Sequence, residues 1–258
     1  MKSNFKLLSF FVLAAVTLSS CSSDDDSPLI EEAPIITNFE YGEGSSHGDE
    51  QVGYKGSDIH LEAEIVAEAT VSSIALDIHA HDLEPGEDEV AWDFKQIYTD
   101  ADYLVKNPVF HEHVDVPANI PSGEYHITLT VTDSNGNSTE IEGHIHIMDA
   151  VTTSALSIDE SVVRGTDLHT ELFIEAVHGV HNVTVDIHAH GLTVGEGEQE
   201  WHFEQVYEEG YHGETSVEFH EHIDVPVTAP VGEYHMVITI EDEEGNTSKI
   251  DTHFNVTL

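Results

Sequence analysis

Histidine pairs spaced by one residue carry the most chemistry in this chain. His79-Ala80-His81 recurs 109 residues later as His188-Ala189-His190, and His111-Glu112-His113 recurs as His220-Glu221-His222. His60, His126 and His144 return at the same offset as His169, His235 and His253. Fourteen of the 20 histidines thus fall into two copies of seven, beside only 7 lysines and arginines. Packing alone does not require such a pattern. Imidazole is the commonest side-chain ligand of zinc and copper, so the chemistry in question is metal coordination.

Strand phase decides where these rings point. Ile74, Leu76, Ile78 and Ala80 alternate with Ser73, Asp77, His79 and His81. Tyr125, Ile127, Leu129 and Val131 alternate with His126, Thr128 and Thr130, and Ile141, Ile145 and Ile147 alternate with Glu142, His144 and His146. A period of two marks half-buried strands with histidine on the wet face. About seven strands per copy are expected, in the first near residues 34–41, 58–66, 71–80, 90–98, 109–116, 124–132 and 139–147, and no amphipathic helix. Asp133-Ser134-Asn135-Gly136-Asn137 and Asp242-Glu243-Glu244-Gly245-Asn246 are hairpin turns; as calcium loops they lack the ligand count and the terminal glutamate. The expected fold is all-β, two tandem immunoglobulin-like β-sandwich domains, with cupin-like β-barrels as the alternative. Tyr125 and Tyr234, each after a Pro-x-Gly turn, fit a tyrosine corner, while Trp92 and Trp201 share a core-facing phase with Phe94 and Phe203.

Pairing arithmetic then groups the histidines. A hairpin turning around residues 133–137 pairs positions that sum to about 270, which sets His126 against His144 and, in the second copy, His235 against His253. The strand ending at His79 and His81 runs beside the strand that starts near His126. Neighbours on one strand face lie about 6.5–7 Å apart and cross-strand partners about 4.5–5.5 Å apart, within reach of one ion. His79, His81, His126 and His144, with His188, His190, His235 and His253, are therefore the leading metal candidates. Asp77 and Glu142 stand near to fill a position or orient a ring. The weaker set lies on the other sheet: His60, His111 and His113 with Asp115 in the first copy, and His169, His220 and His222 in the second. Glu112 there falls on the apolar phase, which implies a bulge or an edge strand. His47, His146, His178, His181, His202 and His212 have no histidine at the matching position and are read as exposed. Zinc is the favoured ion, with copper and nickel behind it, and nearby carboxylates are expected to make the rings hold protons more tightly.

Catalysis fits the sequence poorly. His79-Ala80-His81 resembles the first motif of amidohydrolases, but those need an α/β barrel and this chain shows no helices. The His-x-His and later Pro-x-Gly-x-x-His pattern is partly similar to cupins, without their flanking glycine and asparagine. His111-Glu112-His113 is not the helical zinc-protease motif, and no nucleophile elbow, phosphate loop or nucleophilic cysteine occurs. No catalytic residue is expected. The competing explanation of the histidines is a solvated or pH-sensing surface on a non-catalytic acidic adhesion or scaffold module.

The amino terminus frames the location. Lys2 and Lys6 followed by the apolar run Leu7 to Leu18 form a secretory signal over residues 1–20, too short for a permanent span. Leu18-Ser19-Ser20-Cys21 is similar to a bacterial lipobox, with Cys21 the lipidated residue. As the only cysteine, it excludes an internal disulfide. Residues 21–33 form an acidic tether, 34–149 the first domain and 152–258 the second. Removing residues 1–20 takes two lysines and no acids, leaving 51 acidic against 5 basic side chains. Such a surface repels nucleic acid and anionic lipid and attracts cations, or serves solubility alone. Gly56-Ser57-Asp58-Ile59-His60 against Gly165-Thr166-Asp167-Leu168-His169 opens a gapless alignment of the halves, and the short join near Met148 to Ala155 sets them abutting.

Asp77-Ile78-His79-Ala80-His81, His111-Glu112-His113-Val114-Asp115-Val116-Pro117 and Gly123-Glu124-Tyr125-His126, with their second copies, resemble an uncharacterised family of Bacteroidota lipoproteins with tandem histidine-rich immunoglobulin-like domains. The resemblance covers the whole mature chain and implies an outer-membrane, cell-surface protein working beside a TonB-dependent metal importer. The resulting expectation is a lipid-anchored protein that captures or buffers a transition ion at the envelope.

Overall fold

Alternating apolar residues give each copy two facing sheets. A computed structural model describes residues 32–43 and 51–258, and every regular element among them is a strand. The signal segment, Cys21, the tether up to residue 31 and His47 lie outside the described residues. The first copy comprises β1 (Ile35–Glu43), β2 (Val52–Tyr54), β3 (Asp58–Val66), β4 (Val71–Ala80), β5 (Asp93–Tyr98), β6 (Val109–Asp115), β7 (Gly123–Asp133) and β8 (Ser138–Met148). One sheet runs β1-β3-β6 and the other β2-β8-β7-β4-β5. The second copy comprises β9 (Val151–Ile158), β10 (Ser161–Val163), β11 (Asp167–Ala176), β12 (Val180–Ala189), β13 (His202–Tyr207), β14 (Ser216–Asp224), β15 (Gly232–Asp242) and β16 (Thr247–Thr257). Its sheets run β14-β11-β9 and β10-β16-β15-β12-β13. The protein is all-β, two immunoglobulin-like sandwiches in tandem.

Both sheets of each copy have free edges, so the cupin-like barrel does not form. β2 and β10 are extra to the seven expected strands. They pair parallel to β8 and β16 over three positions each, too few residues to show a period. The fifth strand starts at Asp93 rather than residue 90, after Trp92 has turned into the core.

Each core is built from the phase that the sequence marks as apolar. Ile74, Ile78, Ile127 and Leu129 on one sheet face Ile59, Leu61 and Phe110 on the other, and none is more than 1% exposed. Trp92 packs on Tyr125 at 5.4 Å between ring centroids, and Trp201 on Tyr234 at 5.1 Å. The hydroxyls of Tyr125 and Tyr234 donate to the carbonyls of Pro121 (2.9 Å) and Pro230 (3.1 Å), completing a tyrosine corner in each domain. Each β7–β8 type turn consumes its own aspartate: Asp133 accepts from the Asn135 and Asn137 amides, and Asp242 from those of Glu244 and Asn246. Gly136 and Gly245 there adopt φ of 87° and 85°, which a Cβ resists.

Glu112 sits on the inner phase of β6 because β6 is an edge strand; its ladder with β3 carries no bulge. The buried Tyr103 hydroxyl, 2.6 Å from Glu112, satisfies the carboxylate, and Tyr211 does the same for Glu221 at 2.9 Å.

Candidate metal centre

The β3–β6 ladder places His60 opposite His113 and Glu62 opposite His111, so three imidazoles share one outer face. Each offers a ligand atom within 4.8 Å of the others. Ring centroids lie 4.7 Å (His60–His111), 5.2 Å (His60–His113) and 5.7 Å (His111–His113) apart. The β11–β14 ladder repeats the arrangement with His169, His220 and His222 at 4.9, 5.2 and 5.4 Å. His60 is buried at 4% exposure, while the other two rings of its group are open to solvent.

A carboxylate fixes one ring in each group. His113 Nδ1 lies 2.5 Å from Asp58, and His222 Nδ1 lies 2.5 Å from Asp167. A carboxylate accepting from Nδ1–H holds the proton there and leaves the Nε2 lone pair for a ligand role. The Nε2 atoms of His220 and His222 stand 3.4 Å apart. A tetrahedral ion with nitrogen bonds of about 2.0–2.1 Å separates its nitrogens by about 3.3–3.4 Å. This pair already has the edge length of a coordination tetrahedron.

The opposite sheets place the other histidines in register. His126 pairs with His79 and His144, and His235 with His188 and His253. The rings of each copy are contiguous: His126 lies 5.4 Å from His79 and 4.4 Å from both His81 and His144, and His235 lies 4.8 Å from both His188 and His253, with His190 5.3 Å from His253. In the first domain His81, His126 and His144 converge, whereas His79 turns its Nδ1 to Asp77 at 2.7 Å. In the second, His190 and His253 gather around Glu233, while His188 and His235 bond each other at 3.1 Å. His235 also holds Asp251, the counterpart of Glu142, at 2.5 Å. Carboxylates on the same face hydrogen-bond several of the rings that backbone register brings together. The two-domain equivalence belongs to the β3–β6 and β11–β14 groups.

One family model matches the chain twice, over residues 19–148 and 149–257, and its description is "Domain of unknown function (DUF4625)". The chain belongs to this family. Its halves are two DUF4625 domains, and no curated protein matches them. Among solved structures, the native conformation of Escherichia coli alpha-2-macroglobulin is similar at 10% identity and a TM-score of 0.36, over 87% of this chain and 17% of that one. A tetra-tandem repeat from the extending region of a large adhesion protein is similar at 12% identity and a TM-score of 0.31, over 88% and 50%. A 1.5-MDa bacterial ice-binding adhesin gives 12% identity and 0.35, over 88% and 66%. This chain therefore spans less than two thirds of the macroglobulin and of the repeat protein.

Electrostatics within the DUF4625 domains departs from the expected uniform tightening of protons. Burial, followed by the neighbouring His81, His144 and His79 rings, holds His126 below the ordinary histidine value. His202 moves the other way, because Asp186 accepts from its Nε2 at 2.9 Å. The hydrogen bond from His81 lowers the Glu124 carboxyl, and that from His222 lowers Asp167. Asp77 also ends below its ordinary value: burial pushes it up, but the bonds from His79 and Lys95 outweigh that.

Several participants escaped the strand-phase reading. Glu124 and Glu233, one residue outside the apolar phase of β7 and β15, bind His81 (2.8 Å) and His190 (3.5 Å). His178 is not exposed: its side chain is 13% accessible, between Asp242 at 3.1 Å and Glu43 at 3.6 Å. His181 and His212, also read as exposed, meet at Glu243, with ligand atoms within 4.8 Å of one another. Adjacent carboxylates were visible in the sequence for the first set; the last depends on three segments distant along the chain.

Proposed function

We propose that the protein binds first-row transition-metal ions, zinc foremost and copper or nickel next, for capture or buffering at the cell envelope. The observation that carries this is the recurrence, in both domains, of a three-histidine group with an aspartate on one Nδ1 and matching ring separations. His60, His111 and His113 hold one ion, and His169, His220 and His222 a second, with a fourth position left to solvent. His81, His126 and His144, and His190 and His253 with Glu233, are weaker secondary sites. The reading is one of binding rather than catalysis, and it draws on imidazoles and carboxylates gathered on the outer strand faces. Lipidation at Cys21, display at the outer-membrane surface and delivery to a TonB-dependent importer complete the proposal; they draw on the signal segment, the lipobox and the acidic exterior.

Equilibrium zinc binding by the untagged chain tests it. His111→Ala, His113→Ala, His220→Ala and His222→Ala together remove two equivalents of zinc. Undiminished stoichiometry in that variant ends the proposal. A second reading, a non-catalytic adhesion or scaffold module, draws on rings already held by carboxylates at His79, His81, His188 and His202. Micromolar zinc that changes neither melting temperature nor partner binding supports that reading instead.

A further inference from the structure

Three segments that are far apart in sequence meet at one end of the second domain. They are the start of β12, the turn between β13 and β14, and the turn between β15 and β16. Backbone bonds tie them: the Gly213 amide donates to the Val180 carbonyl (2.8 Å), the Val180 amide to Glu214 (2.9 Å) and the Glu243 amide to Gly179 (3.0 Å). Each bond lies at, or within two residues of, a potential ligand. His181 Nδ1 stands 3.5 Å from the Glu243 carboxylate and His212 Nδ1 stands 3.1 Å from it. The two imidazole centroids are 5.6 Å apart. Gly179, at φ 84°, allows the approach, since a Cβ there would meet the Gly213 backbone at 3.1 Å.

The first domain provides an internal comparison. The same framework is present: the Val71 amide donates to Val105 (3.1 Å) and the Ser134 amide to Thr70 (2.8 Å). At the corresponding positions, however, His181, His212 and Glu243 are Ser72, Leu104 and Ser134, with Tyr103 matching Tyr211 just before. One scaffold therefore carries no imidazole or carboxylate at these positions in one copy, and two imidazoles and a carboxylate in the other. A chain using histidine only as polar filler has no reason to place all three donors together.

We propose that His181, His212 and Glu243 form a third metal site, specific to the second domain, that takes one divalent first-row ion through two nitrogens and one oxygen. Two imidazoles and a carboxylate suit zinc or nickel, with water completing the shell. The site shares no residue with the three-histidine groups and does not rest on them. Its exposure makes it an exchangeable site rather than a structural one.

Zinc titration of the untagged full chain, followed by proton–carbon NMR of the imidazoles, tests the assignment. The His181 and His212 ring signals shift together at one added equivalent for this site, and Glu243→Gln removes the shift. His181→Asn with His212→Asn loses one equivalent by calorimetry relative to the unsubstituted chain. The chain with His111, His113, His220 and His222 replaced by alanine keeps the shifts of His181 and His212. Rings at 181 and 212 that stay unmoved at millimolar zinc overturn the inference, whatever the three-histidine groups do. Shifts that persist while those groups bind nothing leave this inference standing and remove the two three-histidine sites from the proposed function.

Discussion

Asp58→Asn isolates the carboxylate that orients a ligand without touching the ligand set. The amide keeps the shape and still accepts from His113 Nδ1–H, but the charge that holds the 2.5 Å contact is gone. Removing such an orienting partner weakens metal binding by about 10–100-fold. His113 is 48% exposed on its side chain, so solvent already screens the contact and the low end, about tenfold, is expected. At zinc held 100 times above the unsubstituted dissociation constant, ligand-linked stabilisation is about 2.7 kcal/mol, and a tenfold weaker site leaves about 1.4 kcal/mol. The difference, about 1.3 kcal/mol, corresponds to roughly 5–10 °C of melting temperature for a domain near 100 residues. Scanning calorimetry with and without zinc, beside a competition assay with a chromophoric chelator, reads both quantities. The metal-free melting temperature stays near that of the unsubstituted chain, and the second domain's zinc site is unaffected. A zinc affinity within twofold of the unsubstituted chain refutes the argument that Asp58 orients a ligand.

Other outcomes follow from the geometry. Tyr125→Phe strands the buried Pro121 carbonyl and lowers stability by about 1–3 kcal/mol, read as a shifted urea midpoint with unchanged slope; an unchanged midpoint removes the tyrosine corner from the account. Phe219→Ala opens a cavity beneath Tyr207 and Tyr211 at a cost of about 3–5 kcal/mol to the second domain, and a smaller loss implies collapse of the site. His126 releases its proton at lower pH than an ordinary histidine and His202 at higher pH, which ring NMR resolves. His126, with its folded value depressed, adds stability above about pH 6.5 that is lost as pH falls towards the folded value; His202 adds stability below about 6.5 that is lost as pH rises through its raised folded value. A His126 midpoint above that of His202 contradicts both causes. Zinc release on acidification below about pH 6.5 is the remaining expectation, because ligand imidazoles must be neutral.

Much of this architecture was legible because period two is a strong signal. The hairpin sum of 270 gives the His126–His144 pair, the same reasoning at the 109-residue offset gives His235–His253, and the ladders carry both. Apart from β2 and β10, the division of strands between the sheets follows from the immunoglobulin-like arrangement. What strand phase does not contain is rotamer choice. His79 and His81 share a face and both rings stay beside His126, yet Asp77 takes the Nδ1 of one and Glu124 the Nδ1 of the other. Equally hidden were β2 and β10, three residues each, and the meeting of His181 with His212, which needs the packing of two turns against a strand start.

The edge carboxylate held by Tyr103 has a consequence for folding fidelity. A strand that slips by one residue turns Phe110 and Val114 outward, and the lost burial rejects it. A slip of two residues keeps every face and escapes that penalty. It does, however, carry Glu112 away from the Tyr103 hydroxyl and His113 away from His60. Tyr103 therefore acts as a register pin, and the alignment of three imidazoles on the outside of the sheet is enforced by a phenol on the inside.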